Sequence, residues 1–242
     1  PSTYGPGRQV YASPFAIVPG TQPASEHERR ALQQLAVYLA NQHYAAQSSF
    51  VQVINDTDWL AAGGRHAGAV LNAVILGGPD ANAVSADLVR RGLLPVRFET
   101  AAAAGGGRAV TFSVGPCLFT QPSTGVVFTA PSGREDASGQ GAGLHLVVAG
   151  TDLDGLAQLV EYTYSSNQAL TRAPLSNMVP DFLVAGPQFR AAGYGGMLAL
   201  GHWNARWEWT RDTAYMRCSF ARPRTRRACS APAAEASLAR DG

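Results

Sequence analysis

The sequence predicts an α/β fold: a doubly wound, mainly parallel sheet with helices on both faces. Three observations support this class. Short apolar segments of strand length recur at residues 14–18, 50–54, 73–76, 144–149 and 182–185. Most of them run into turns rich in Gly, Pro or Asp, and segments with helical spacing of apolar residues follow three of these turns. Continuous apolar strands that alternate with amphipathic helices are typical of a parallel sheet covered on both faces.

The first unit shows the pattern most clearly. The apolar segment 14–18 is followed by the turn Pro-Gly-Thr at residues 19–21. Ser25 then precedes Glu28 by three residues, which is the spacing of a capping box at a helix start. Apolar residues continue at helical spacing with Leu32, Leu35, Ala36 and Leu39. We therefore expect a helix from about residue 26 to residue 43.

The next units repeat this order. Segment 50–54 predicts a strand that ends in the polar loop 55–58. Segment 73–76 predicts a strand that leads into a Gly-Gly-Pro-Asp turn, after which Asn82 is placed to cap a helix through Arg91.

Two further strands complete the predicted sheet. Segment 144–149 is followed by a turn in which Thr151 and Asp154 have capping-box spacing, so a helix is expected after it. Segment 182–185 ends in Gly-Pro, a turn signal.

The middle and the end of the chain have a different character. Residues 108–131 alternate short β-type segments with Gly and Pro, which predicts a small antiparallel insertion. We expect one α/β domain over residues 1–209 and a basic, Ala/Ser-rich, mobile tail over residues 210–242. The tail holds seven Arg against three acidic residues, a net charge of +4, which leaves 12 Arg against 14 acidic residues and a net charge of −2 in the body.

Composition excludes some classes of partner. The chain is 46% hydrophobic and 15% charged, as in globular proteins. No apolar run approaches the roughly 20 residues that a membrane span needs, so no span is predicted. The nearly neutral body predicts no nucleic-acid partner.

Three cysteines occur at wide spacing, Cys117, Cys218 and Cys229. They match neither a zinc pattern nor a CxxC redox motif. Secretion would permit one disulfide, for which Cys117–Cys218 is a candidate pairing, and the sequence leaves the disulfide state of the three cysteines open.

The turns after the strands meet at one edge of such a sheet, where ligands usually bind. The candidate ligand-binding residues are Thr21, Asp80, Asn82, Thr151 and Asp152. Helix-start amides there suit an anion, but neither glycine-rich turn has the GxGxxG or P-loop pattern, and helix capping is the favoured interpretation. Asp56 and Asp58, together with Asp80, raise the alternative of a divalent cation. The balance of these patterns predicts neither a metal nor a cofactor.

An aromatic cluster adds Trp203 to the ligand-binding candidates. With Trp207 and Trp209 it suits either a sugar-binding surface or packing in the core.

Catalytic candidates are few. A serine hydrolase needs its nucleophile on a sharp turn, commonly GxSxG, and the nearest matches, around Ser113 and Ser123, lack the first Gly. The candidate catalytic residues are therefore Ser113, His202 and Asp152, with Asp181 as an alternative acid.

Several ordered blocks of the chain are similar to the C-terminal region of fungal secreted prolyl-oligopeptidase-like proteins of the α/β-hydrolase class. The blocks lie at residues 4–6, 14–21, 35–41, 73–82, 144–156, 179–187 and 193–204. Residues 162–177 depart from the pattern, and the Arg-rich end has no counterpart in it. The resemblance implies secretion and an upstream hydrolase domain as a partner, since the nucleophile of such proteins lies before these blocks.

The leading hypothesis is an accessory or interaction domain of a secreted serine hydrolase, without a complete catalytic site of its own. Two alternatives stay open. One is a stand-alone hydrolase with an atypical nucleophile, and the other is a module that binds a small ligand or a carbohydrate at the strand-end edge.

Overall fold

The architecture is defined by a computed structural model that describes residues 7–23, 25–66, 69–70, 72–102, 108–135, 141–160, 163, 180–218 and 227–228. The helices are α1 (Glu26–Gln47), α2 (Asp56–Ala61), α3 (Ala83–Arg90), α4 (Leu153–Val160) and α5 (Phe189–Ala192), with 3₁₀ turns at Gly7–Ala12 and Gly193–Gly196. The strands are β1 (Phe15–Pro19), β2 (Gln52–Val53), β3 (Arg65–His66), β4 (Ala69–Val70), β5 (Asn72–Leu76), β6 (Arg97–Ala102), β7 (Arg108–Val114), β8 (Cys117–Phe119), β9 (Gly125–Glu135), β10 (Gly141–Gly150), β11 (Phe182–Ala185), β12 (Met197–Trp203), β13 (Trp209–Met216) and β14 (Arg227–Ala228).

Eight strands form one mixed sheet in the order β13-β12-β11-β9-β10-β5-β1-β2. The pairs β10–β5, β5–β1 and β1–β2 are parallel. The pairs β13–β12, β12–β11, β11–β9 and β9–β10 are antiparallel. The α/β class is thus confirmed, but the prediction of a mainly parallel sheet is wrong. The connections from β9 to β10 and from β12 to β13 are short, and short connections join antiparallel neighbours. The connection from β11 to β12 holds only the single-turn helix α5 and a 3₁₀ turn, so these two strands are also adjacent and antiparallel.

Both faces of the sheet are covered. Side chains alternate along each strand, so Ile17 and Val74 face one layer while Ala16 and Ile75 face the other. Helices α1 and α4 supply the first layer. Helices α2 and α3, together with the strands β6–β8, supply the second. The buried side chains of the helices are Leu32, Ala36, Leu39, Leu156 and Leu159 in the first layer and Trp59, Val84 and Leu88 in the second.

The antiparallel insertion lies earlier in the chain than predicted. Strands β6, β7 and β8 pair antiparallel, so the insertion occupies residues 97–102, 108–114 and 117–119 rather than 108–131. Strand β14 joins the same small sheet, parallel to β8. Strand β9 belongs instead to the central sheet. Its residues Val126 and Phe128 are fully buried, and it pairs with β10 and β11 on either side. Flanking Gly and Pro residues made β9 look like part of the insertion, although its apolar run is that of a central strand.

The helix ends are explained by their caps. The Ser25 Oγ accepts the Glu28 N–H at 3.1 Å, as predicted, and α1 continues four residues beyond the expected end at residue 43. The Asn82 side chain caps α3, also as predicted. At α4 the cap differs. The Asp152 Oδ1 accepts the Gly155 N–H at 2.8 Å, so Asp152 rather than Thr151 caps this helix.

One helix and one strand lie where loops or a tail were expected. The predicted polar loop 55–58 is the start of α2, whose first turn is made of polar residues. Strand β13 covers Trp209–Met216, so the sheet extends into the stretch assigned to the tail. None of its residues is buried, which hides the apolar pattern of a strand. The predicted tail residues 219–226 and 229–242 lie outside the described part of the chain.

A disulfide between Cys117 and Cys218 joins β8 to the residues after β13 and matches the candidate pairing. Its Cα atoms are 6.2 Å apart, within the usual range for a disulfide. Among the described helices, none is both long enough and apolar enough to cross a membrane.

His145 makes the stability of this fold sensitive to pH. The residue lies on β10, 1% exposed, with its ring edge-on to Trp59 at 6.4 Å between centroids. Burial, with smaller contributions from Arg134 and Arg91, lowers the pKa of His145 to about 3. The unfolded chain binds this proton at an ordinary histidine pKa of about 6.5, so folding stability falls as the pH drops below that value.

We expect His145→Gln to remove part of this acid sensitivity. Between about pH 6 and pH 4.5, His145 lowers the free energy of unfolding of the parent chain by at most about 1.4 kcal/mol for each pH unit of acidification. The variant lacks this contribution. Urea titrations across this range measure the slope. The matched control is His27→Gln at an exposed helix position. Equal slopes for the His145 variant and the parent chain would contradict the assignment.

Candidate functional site

A crevice of about 450 Å³ opens at the carboxyl ends of the parallel strands β5 and β10. Its sides are the first turn of α1, the β5–α3 loop, the start of β7 and the β10–α4 loop. We name it the strand-end crevice and define it by Gly77, Asp80, Arg108, Thr151 and Asp152. Ligands of open α/β sheets bind at this edge, which is where the sequence analysis placed its candidates.

Two glycines allow main-chain atoms to form the surface of the crevice. Gly77 has a φ of +117°, which side chains other than hydrogen rarely allow. A Cβ atom at Gly150 would lie 2.6 Å from the backbone nitrogen of Leu156, so only glycine permits the β10–α4 turn to pack this tightly. The two glycine-rich turns therefore shape the crevice with main-chain atoms.

Charges of both signs line the crevice. The Arg108 Nη1 donates to the Asp80 carbonyl oxygen at 3.2 Å, which places the guanidinium beside the β5–α3 loop. Burial raises the pKa of the Asp80 carboxyl, and the opposing effects of a backbone hydrogen bond and of Arg108 are smaller. His27, Glu28 and Asp154 add further ionisable side chains at the rim.

Thr151 and Asp152 line the crevice, but their polar atoms also hold its side in place. The Asp152 Oδ2 accepts the Ser123 N–H at 2.7 Å, while its Oδ1 caps α4. The Thr151 Oγ donates to the Gln121 carbonyl oxygen at 2.9 Å and accepts the Thr124 N–H at 3.2 Å. The turn before β9 is thereby attached to the start of α4.

Thr21 and Asn82, by contrast, do not line the crevice. The Asn82 side chain is fully buried, and its Nδ2 donates to the carbonyl oxygens of Val18 and Leu76 at 3.0 Å each. It therefore joins the ends of β1 and β5 while it caps α3. Thr21 donates its N–H and its hydroxyl to Asp56, the latter at 2.6 Å. Both residues hold the sheet edge together, and the ligand contact expected of them stays a prediction.

The buried role of Asp56 is the feature that sequence reasoning missed, since the sequence placed this residue only among possible cation ligands. Its carboxylate is fully buried and accepts four hydrogen bonds, two from Thr21, one from the Thr57 N–H and one from the Ala83 N–H at 2.6 Å. The protein's own carboxylate thus takes the place that an anion would occupy at the start of α3. Its position after a strand was a signal, but the sequence could not show that the side chain turns inward.

The metal hypothesis finds no support in this geometry. In the described ranges, no group of three or more His, Cys, Asp or Glu side chains is arranged to hold a metal ion. Asp58 is exposed, and the oxygens of Asp56 are engaged by donors of the chain itself.

Trp203 belongs to the core rather than to a binding surface. It is 1% exposed, its ring stacks on Phe182 at 4.4 Å between centroids, and its Nε1 donates to the Thr129 carbonyl oxygen at 3.1 Å. The ligand-contact role predicted for it is therefore corrected. Trp207 and Trp209 are only partly buried.

The candidate catalytic residues are held by different elements. Ser113 lies on β7 in the small sheet, Asp152 caps α4 at the crevice, and His202 lies on β12. The structure does bring His202 to the alternative acid, with 3.5 Å between the His202 Nδ1 and the Asp181 Oδ2. Among the described residues, neither Ser113 nor Ser123 forms a hydrogen bond with a histidine.

Asp181 also has a structural role in this pair. The Asp181 Oδ2 accepts the Trp203 N–H at 2.9 Å, and burial raises the pKa of the Asp181 carboxyl, against smaller effects of Trp203 and His202. The pair lies at the amino-terminal edge of β11, whereas the strand-end crevice lies at the carboxyl edge of β10, which runs in the same direction.

Comparison of the sequence with protein-family models found no match, and comparison with curated proteins found no similar sequence.

We expect Asp56→Ala to destabilise the fold by about 2–4 kcal/mol, because it removes a fully buried carboxylate and leaves the partly buried donors of Thr21 and Ala83 without an acceptor. Urea unfolding measures the loss. Asp58→Ala, an exposed acid on the same helix turn, is the matched control and should cost less than about 1 kcal/mol. Equal losses for both variants would mean that the buried carboxylate has no special role.

Proposed function

We propose that the chain is a noncatalytic α/β domain that binds a small polar ligand in the strand-end crevice, as an accessory domain of a secreted hydrolase-like protein. The observation that carries this proposal is the crevice itself. It lies at the edge where α/β sheets bind ligands, and its volume of about 450 Å³ is that of a small-molecule site.

The charges of the crevice indicate the class of ligand. The Arg108 guanidinium suits a carboxylate, which it can bind through two parallel hydrogen bonds. The carboxylates of Asp80 and Asp154 suit an ammonium group. A short peptide with free termini carries both charges within a few ångströms. Such a ligand also fits a domain that accompanies a peptidase-like protein.

The accessory role is supported by the hydrogen bonding of the candidate catalytic residues. Among the described residues, neither Ser113 nor Ser123 bonds to a histidine, and the Asp152 carboxylate is occupied by the N–H groups of Ser123 and Gly155. The disulfide supports secretion, because such bonds persist in oxidising compartments. Helices on both faces of the sheet favour the doubly wound interpretation of the fold. The family resemblance explains why an α/β domain of this kind would lack a nucleophile.

Binding of a free dipeptide tests the crevice directly. We expect alanyl-alanine to shift the amide NMR signals of Gly77, Gly78, Gly150 and Thr151, and the form with blocked termini to bind at least about tenfold more weakly, because it lacks both charges. Asp80→Asn and Arg108→Ala should each weaken binding, whereas the exposed Asp212→Asn should not.

Three outcomes would count against the crevice. The first is that the free dipeptide causes no shifts. The second is that its shifts are confined to other elements. The third is that the free and blocked forms bind with equal affinity.

The His202–Asp181 pair favours the stand-alone hydrolase as the second candidate. A fluorophosphonate probe of serine hydrolases separates the two, with adducts mapped by mass spectrometry. We expect no labelled serine in the chain under conditions that label an active hydrolase in the same tube. A single labelled serine, lost on denaturation, would instead identify an enzyme and its nucleophile.

A further inference from the structure

A second cavity, of about 440 Å³, lies between the small antiparallel sheet and the hairpin that joins β12 to β13. We name it the tryptophan cavity and define it by Arg97, Ser113, Arg206, Trp207 and Trp209. None of these residues lines the strand-end crevice, so the cavity stands apart from the function proposed above. Its volume lies within the range of about 300–1,000 Å³ that is usual for small-molecule sites.

The hairpin holds its tryptophan in an unusual conformation. Trp207 has a φ of +64°, a region that residues other than glycine seldom occupy. The Asn204 Oδ1 accepts the N–H groups of Arg206 and Glu208 at 2.8 and 3.0 Å, and the Trp207 N–H donates to the Asn204 carbonyl oxygen at 2.9 Å. These bonds compensate for the strain, and strained residues held in this way concentrate at binding sites.

The opposite side of the cavity accommodates the second indole. Gly115 has a φ of +53°, and a Cβ atom there would lie 2.5 Å from the Trp209 ring. Glycine therefore allows the ring to lie directly on the turn between β7 and β8. Two partly buried indoles thus line one cavity at fixed positions.

The charged groups of the cavity give it a positive character. Arg97 and Arg206 are exposed, and neither forms a salt bridge within the described residues. Glu208 also lines the cavity, and its Oε2 accepts a hydrogen bond from the Asn204 Nδ2 at 3.1 Å, so two guanidinium groups stand against one carboxylate. Ser113, 6% exposed, contributes to the lining from β7.

We propose that the tryptophan cavity binds an acidic saccharide, that is, a uronic acid unit of a polysaccharide. The indole faces suit the apolar C–H face of a pyranose ring. The two guanidinium groups suit its carboxylate, since arginine binds carboxylates through paired hydrogen bonds. A neutral sugar offers the two arginines only hydroxyl oxygens, whose hydrogen bonds are weaker than those of a carboxylate. An acidic saccharide therefore matches the aromatic and the charged lining together.

Titration of the full chain with digalacturonic acid, followed by tryptophan fluorescence, tests this proposal. We expect a saturable change, an affinity that falls as NaCl is added, and at least about tenfold weaker binding of the uncharged digalactose. Arg97→Ala and Arg206→Ala should each weaken binding about tenfold, because each removes a charge-assisted contact. Both positions are exposed, so these variants should fold, and thermal unfolding checks that they do.

Two controls make the result specific. Arg190→Ala changes an exposed arginine on α5 and should bind as the parent chain does. The crevice variant Arg108→Ala should also keep uronate binding, which separates failure of this proposal from failure of the peptide site. Equal affinity for the charged and uncharged sugars, no saturable change with either, or unchanged affinity in both cavity variants would overturn the proposal.

Discussion

The buried carboxylate of Asp56 is the interaction on which the sheet edge depends. It accepts hydrogen bonds from the loop after β1 and from the first turn of α3, so one side chain connects three successive units of the chain. Asn82 adds a second connection beneath it, between the ends of β1 and β5. Because these two residues fill the point where the strand order reverses, the open volume is displaced sideways to β5 and β10. The strand-end crevice therefore lies between β5 and β10 because Asp56 and Asn82 fill the space between the ends of β1 and β5.

The antiparallel half of the sheet has a different role. Strands β11, β12 and β13 add no helix crossover, and their hairpin carries Trp207 and Trp209 away from the parallel edge. The small sheet β6–β8 covers the same face and provides the opposite side of the tryptophan cavity. The two cavities therefore result from two kinds of connection. One is bounded by turns that lead into helices, and the other lies between a hairpin and an insertion.

Local signals in the sequence predicted the parts of the fold that depend on local chemistry. The caps of α1 and α3 and the strand β11 were all readable from residue type and spacing. What could not be read is which way a polar or aromatic side chain points. Asp56 and Trp203 are buried through contacts with residues far away in the chain, and β13 lies at an exposed edge without an apolar pattern. Of the predicted ligand-binding residues, Asp80, Thr151 and Asp152 line the crevice, whereas the side chains of Thr21 and Asn82 bond to the chain itself.

The disulfide has a consequence for how the second half of the molecule assembles. It joins residues 101 positions apart, and the loop that it closes contains β9 to β13. Closing a loop of that length removes conformational entropy from the unfolded chain, by about 4.7 kcal/mol in the simplest chain model. Once the bond has formed, residues 117–218 fold as a closed loop. The small insertion and the outermost strand are then held next to each other before the sheet is complete. The edge strand that carries Trp209 then cannot drift far from the turn at Gly115 against which its ring packs.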